Sequence, residues 1–322
     1  MLLHVRFSVL LALATCGLCR GETAVAERER VHPLKITILD TFVAGGGIGE
    51  WGFSALVEAD GHRILYDTGA LSDAVLRNAR QMKVDLSNVD DVVLSHNHPD
   101  HVGGILALRE SIMVKFPGAL ARAHVGDGIF ALRFPARNVV RKENAALSLK
   151  ADYEKIGGKF IVHAGPVELY PGVWLTGPVP RKSEPCGGAS PASGYPGDWD
   201  TMPEDMALVC NTDQGLVVLT GCGHAGAINV VTYAQEVIRP ARVHALIGGL
   251  HLDAATEETV AWTADRLRAT GVDHLLGAHC TGFEIVARFR RELGLDRAHA
   301  VVAAVGCQFE LGKGIDLSHA AK

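Results

Sequence analysis

Apolar positions along this 322-residue chain fall into short runs whose spacing changes from one third to the next. Leu34 to Leu39 alternates like a strand, and Ala44-Gly45-Gly46-Gly47 breaks the chain after it. Phe53 to Glu58 and Arg63 to Tyr66 read as two strands joined about Asp60-Gly61, a strong hairpin signal. Leu71 to Met82 carries apolar residues at helical spacing, and Val92 to Leu94 is the fully apolar run of a buried strand. Beyond Gly104 the pattern weakens: Val114 to Asn138 mixes apolar runs with Gly and Pro, and Lys159 to His163 reads as a further strand.

The last third is regular again. Ala207 to Cys210 and Leu216 to Leu219 form a hairpin across Thr212-Asp213-Gln214-Gly215. Helices over Ala225 to Ile238, Thr256 to Thr270 and Glu284 to Leu293 alternate with strands over Val243 to Ile247 and His274 to Leu276. Strands early and helix–strand alternation late predict an α/β sandwich of mixed sheets with helices on their outer faces. No internal repeat is visible at the periods of solenoid proteins.

Composition changes this picture at the N-terminus. Arg6 precedes an apolar run from Phe7 to Cys19, and Ala24-Val25-Ala26 offers small residues at signal-peptidase spacing. Residues 1–26 are therefore expected to be a secretory leader cleaved after Ala26, too short to remain as a membrane anchor. That sends the protein to the periplasm or outside the cell, with 27–33 as a linker and 34–322 as the folded part. A lipoprotein would need Cys16 or Cys19 as the acylated residue, and Thr15 is large for the position before the cysteine. Two of the seven cysteines leave with the leader, and the odd number left argues against a disulfide framework. A net charge of -5 without a long Lys or Arg run excludes nucleic acid as the expected partner. Pro178 to Pro203 turns rich in Pro, Gly and Ser, which suits either an interdomain linker or a lid over an active site.

Candidate chemistry concentrates in His96-Asn97-His98-Pro99-Asp100-His101. Imidazole and carboxylate ligands suit zinc, and also iron or manganese. In an extended segment residues two apart share a face, so His96 and His98 can grip one ion together. Asp100 and His101 follow the turn at Pro99 and can serve a second ion. Three further apolar runs end in glycine and ligand-type residues: Thr220-Gly221 before Cys222-Gly223-His224, Gly248-Gly249-Leu250 before His251, and Gly277-Ala278 before His279. Ligands at neighbouring strand ends converge on one edge of a sheet, where clefts form. Cys222 and His279 read as metal ligands. His224 is a substrate contact or cap-region residue, His251 a ligand, substrate contact or supporting donor, and Asp67 a hydrogen-bond acceptor behind the ligands.

His96-x-His98-x-Asp100-His101-x-Gly103-Gly104, together with Tyr66-Asp67-Thr68-Gly69, resembles the signature of the metallo-β-lactamase-fold superfamily. Thr176 to Arg181, Thr220 to Gly226, Gly248 to Leu252 and His279 to Gly282 are similar to a subgroup labelled dihydropterin–ribofuranosylaminobenzene phosphate synthase-like. The resemblance runs from about Lys35 to Val305. It implies a four-layer αββα sandwich with a dinuclear centre at the top edge between its sheets. It further implies His96 and His98 on the first ion, Asp100 and His101 on the second, His279 as the last histidine and Cys222 near the bridging position. The superfamily's middle histidine has no counterpart at Pro203-Glu204-Asp205-Met206, so Asp205 or His224 substitutes for it, or the first ion lacks a ligand.

The expected function is a secreted metal-dependent hydrolase that acts on a small ester, lactone, amide or phosphoester, with zinc and with Asp100, His224 and His251 in catalysis. The alternatives are a pterin-related C–N bond-forming synthase and a redox protein whose iron is held by Cys222 and His224.

Overall fold

The computed structural model describes residues 28–132, 144–183 and 202–320. The leader expected over 1–26 lies outside these, as do Cys186 and most of the Pro178 to Pro203 stretch.

Fifteen strands among the described residues form two mixed sheets. The first begins as an antiparallel meander, its first connection the loop 41–53 and its second a two-residue turn. β1 (Leu34–Asp40) pairs with β2 (Ser54–Ala59), and β2 pairs across Asp60-Gly61 with β3 (His62–Tyr66). Helical crossovers then add parallel strands: β4 (Asp91–Leu94), β5 (Arg122–Gly126) and β6 (Lys159–His163). The second sheet follows the same plan. Its antiparallel half comprises β7 (Val167–Tyr170), β8 (Val173–Leu175), β9 (Leu208–Thr212) and β10 (Gly215–Thr220). Its parallel half continues through β11 (Val243–Gly248), β12 (His274–Gly277) and β13 (Ala300–Val302). The C-terminal β14 (Gln308–Glu310) and β15 (Gly314–Asp316) cross back to close the first sheet against β1.

Three apolar cores define four layers. Between the sheets, Ile36, Phe53, Val57, Ile64 and Val93 meet Leu208, Val217, Leu219, Ile247 and Leu276, all fully buried. The outer face of the first sheet packs on α1 (Ala74–Gln81), α3 (Ile105–Met113) and α4 (Ala146–Lys155) through Val75, Ile105, Leu108 and Tyr153. The outer face of the second packs on α5 (Ala227–Val237), α6 (Glu257–Thr270) and α7 (Phe283–Glu292) through Val231, Leu267 and Phe289. The αββα sandwich expected from the sequence is the architecture observed.

Several local expectations are corrected. The weak region after Gly104 contains α3, β5 and α4. Arg109 is buried on α3 and donates to the carbonyls of Ala119 at 2.7 Å and Ile156 at 3.2 Å, which interrupts the apolar stripe that periodicity looks for. Helix α5 opens at Ala227, so His224 lies in the loop before it. The two ends of the Pro/Gly-rich stretch meet: Val179 N–H donates to Asp205 O at 2.9 Å, and Ala207 N–H donates to Thr176 Oγ1 at 3.0 Å. The described flanks of the stretch therefore belong to one sheet, between β8 and β9.

Among the described residues no helix is long and apolar enough to cross a membrane.

Candidate metal centre

The tips of four strands meet at one edge of the sandwich. β4 ends in Ser95 to His98, and Pro99 then occupies the first turn of a short helix, α2 (Pro99–Val102). Proline fits there because its missing N–H would have no helical partner. This switch from extended to helical backbone separates His96 and His98 from Asp100 and His101. From the second sheet, β10 delivers Cys222 and His224, β11 delivers His251, and β12 delivers His279 through one turn of 3-10 helix, His279–Thr281.

The ligand atoms of His96, His98 and His224 lie within 4.8 Å of one another, and so do those of Asp100, His101 and His279. His98 Nδ1 stands 3.1 Å from His96 Nε2 and 3.2 Å from His224 Nε2. Nitrogens bound tetrahedrally at zinc distances are separated by about 3.3 Å, so this spacing suits one shared ion. In the second group Asp100 Oδ2 lies 3.1 Å from His279 Nε2 and 3.7 Å from His101 Nε2. Cys222 Sγ is 3.2 Å from His101 Nε2, and Cys222 also falls within ligand range of His96, His224 and His279. His224 therefore sits with His96 and His98, where the resemblance left a histidine missing. Asp205, the other candidate, accepts the Ala225 N–H at 2.7 Å.

A hydrogen-bond chain behind the imidazoles fixes which nitrogens face inward. Asp67, fully buried at the end of β3, accepts from Ser95 N–H and from the Ser95 hydroxyl, both at 2.7 Å. Its Oδ2 also lies 2.7 Å from His101 Nδ1. A carboxylate only accepts, so His101 Nδ1 carries the proton and its Nε2 presents a lone pair to the site. Ser95 Oγ, having donated to Asp67, accepts from His96 Nδ1 at 2.9 Å, and His96 Nε2 is likewise bare. Gly221 makes the approach of β10 possible, since a Cβ there would fall 2.1 Å from Ser95 Oγ.

The electrostatics match ligand chemistry. Burial, and then the surrounding imidazoles, hold His96 and His224 well below the ordinary histidine range, so both are neutral donors. Burial pushes the Cys222 thiol up, so a cation must displace its proton before the sulfur ligates. Burial alone would raise the Asp100 carboxyl, but the hydrogen bond to His279 and the other imidazoles around it hold it at about 2.

Two nitrogens here, His251 Nδ1 and His279 Nδ1, are buried without a hydrogen-bond partner. His251, His279 and Asp67 also adopt left-handed backbone, with φ of 50°, 46° and 53°. Such strain in non-glycine residues clusters at functional sites. His251 stands beside His224, with ring centroids 4.5 Å apart, and its backbone N–H donates to Cys280 Sγ at 3.2 Å.

Sequence reasoning missed three contributors. Thr41 Oγ1 accepts the His279 N–H at 3.1 Å, Cys280 lies within ligand range of Cys222 and His279, and the Trp51 ring lies 4.8 Å from the His279 ring. No local pattern announces Thr41 or Trp51, because each reaches the site from the loop after β1 only through the fold.

Residues 52–236 match the metallo-beta-lactamase superfamily. Over 288 residues the chain is 29% identical to the 7,8-dihydropterin-6-methyl-4-(beta-D-ribofuranosyl)-aminobenzene-5'-phosphate synthase of Methanocaldococcus jannaschii, covering 84% of this chain and 96% of that protein. It is similar in structure to a metal-dependent hydrolase of the beta-lactamase superfamily, with a TM-score of 0.68, 26% identity and coverage of 86% and 99%. A metallo-beta-lactamase fold protein from Bacillus subtilis shares the fold at a TM-score of 0.54 and 18% identity, with coverage of 86% and 99%. The family match spans more than half of the sequence and includes the His96 to His101 motif, so the chain belongs to the metallo-beta-lactamase superfamily.

Proposed function

We propose that this protein is a metal-dependent hydrolase of small esters, lactones, amides or phosphoesters, with two divalent cations, zinc first among them, at the strand tips. The observation that carries the reading is the position of Cys222. Its sulfur lies within ligand range of residues from both the His96–His98–His224 group and the Asp100–His101–His279 group, so it would be available to a cation held by either.

When bound, the ions supply electrophilic polarisation of the substrate and a water acidic enough to ionise near neutral pH. The protein's own groups do the rest. Asp67 and Ser95 hold His101 and His96 with their lone pairs inward. Asp100, ionised and one-fifth exposed at its side chain, is placed to orient the attacking water and to carry its proton to the leaving group. His251, at the rim beside His224, is placed to hold or protonate the substrate's departing side. The test is turnover of an ester, lactone and phosphoester panel with and without a chelator. Activity that disappears with the metal and returns with zinc supports the reading, whereas activity indifferent to chelation and to Asp100→Asn contradicts it.

A second reading, a C–N bond-forming synthase acting on pterin-related substrates, is favoured by the 29% identity to a protein of that name across nearly its whole length. Mass spectrometry of the products formed from a pterin pyrophosphate and an arylamine separates the two readings. For the third, an iron-binding redox protein, the discriminating fact is which metal co-purifies. Export after cleavage at Ala26 is part of the proposal and rests on the sequence of residues 1–26.

A further inference from the structure

Trp51 is the feature that the metal chemistry leaves unexplained. It is 54% exposed, yet its ring lies against that of His279, with centroids 4.8 Å apart. Phe42 stands 6.3 Å from it, and Phe283, 52% exposed at the start of α7, meets Phe42 edge-on at 5.2 Å. Three aromatic rings from two separate elements thus form an open apolar shelf beside one of the candidate ligands. Leaving such surface in water is unfavourable, by about 25 cal/mol for each Å² that could be covered.

The shelf is also held rigidly. Residues on both sides of Trp51 are fixed to the scaffold. Glu50 N–H donates to Thr41 O at 3.2 Å, and the Glu50 carboxylate accepts the N–H groups of Ala70 at 2.9 Å and Leu71 at 2.8 Å. On the other side Phe53 N–H donates to Asp100 O at 3.1 Å, which ties the loop to the helix that carries two candidate ligands. Upstream, Asn78 accepts from Ile48 N–H at 2.7 Å and donates to Ile48 O and Leu39 O, each at 2.9 Å. Burial first, and then Glu50, push the carboxyl of Asp40, at the end of β1, up to about 9. An exposed indole on a backbone pinned this firmly is pre-organised to receive something flat.

We infer that Trp51, with Phe42 and Phe283, forms a subsite for a planar aromatic or heteroaromatic ring of the substrate, stacked on the indole while its polar end reaches the metal position. The inference rests on the proposed metal-dependent reaction only for that polar end. Continuity with His279 identifies the occupant as part of the substrate. Independent support comes from the name of the M. jannaschii relative, which contains both a dihydropterin and an aminobenzene ring.

The experiment is direct binding, with no turnover required. Zinc-loaded protein is titrated calorimetrically with 4-aminobenzoate and with cyclohexanecarboxylate, two monoanions of similar size of which only the first is flat and aromatic. The wild type is expected to bind 4-aminobenzoate about tenfold more tightly, equivalent to about 1.4 kcal/mol. Trp51→Ala and Phe283→Ala should shrink that ratio towards one while leaving cyclohexanecarboxylate binding within about twofold. Trp51→Phe, which keeps a stacking face, should retain most of it. Equal affinity for both probes in the wild type, or an unchanged ratio in Trp51→Ala, overturns the subsite. Failure of the hydrolase reading looks different: the ratio persists while the substrate panel stays unhydrolysed.

Discussion

Replacing Asp67 by asparagine tests whether the hydrogen-bond chain behind the imidazoles sets metal affinity. Asp67 accepts three hydrogen bonds at 2.7 Å, two from Ser95 and one from His101, and is fully buried. Asparagine has one accepting oxygen. Wherever its NH2 points, it confronts the Ser95 N–H on one side or the Ser95 hydroxyl and His101 Nδ1–H on the other. If the oxygen stays with Ser95 N–H, His101 must give up its Nδ1 proton to accept from the amide. The proton then moves to Nε2, the nitrogen 3.2 Å from Cys222 Sγ, and the inward lone pair is lost. Loss of such a supporting partner typically costs 10–100-fold in metal affinity, roughly 1.4–2.8 kcal/mol. The assay is zinc competition against a chromophoric chelator, with circular dichroism as a control for folding. Asp67→Asn binding zinc within twofold of wild type, in a folded protein, would refute the reasoning.

Other predictions are independent of that chain. His224→Ala should lose the first ion selectively, leaving about one zinc per chain by elemental analysis, whereas Asp205→Asn should keep both. Asp40 holds a proton in the folded state up to about pH 9 but in the unfolded chain only to its ordinary value of 3.8. Its contribution is therefore full below about pH 4 and falls by up to about 1.4 kcal/mol per pH unit until it is gone above pH 9. Urea unfolding across that range should show Asp40→Asn with the shallower decline, and equal slopes would count against it. Gly248 has φ 110°, and a Cβ there would lie 1.9 Å from Thr220 O, so Gly248→Ala should destabilise by about 3 kcal/mol or more in thermal unfolding. N-terminal sequencing of the secreted form should begin at Glu27.

How much of this was legible in the sequence depended on how local each signal was. The histidine motif is dense, and four ligand-type side chains within six residues are hard to reconcile with an ordinary solvated loop. The glycine-terminated apolar runs before Cys222, His251 and His279 showed that separate strand tips converge. The sequence narrowed the missing ligand to Asp205 or His224 but could not choose, because the choice follows from a 3.2 Å approach to His98 across 126 positions of sequence. The shortest strands escaped for a related reason. β7, β8 and β13 to β15 have three or four residues each, too few to establish a period, and their pairing is decided by neighbours. Helix α3 was hidden by the buried Arg109, whose guanidinium is satisfied by carbonyls brought in from outside the helix. Trp51 carried no pattern at all.

The most direct measurement of the central claim is anomalous diffraction at the zinc edge from crystals of the reconstituted protein. Two peaks are expected, one among His96, His98 and His224 and one among Asp100, His101 and His279, with Cys222 Sγ between them. No peak, or peaks away from these side chains, would contradict the account.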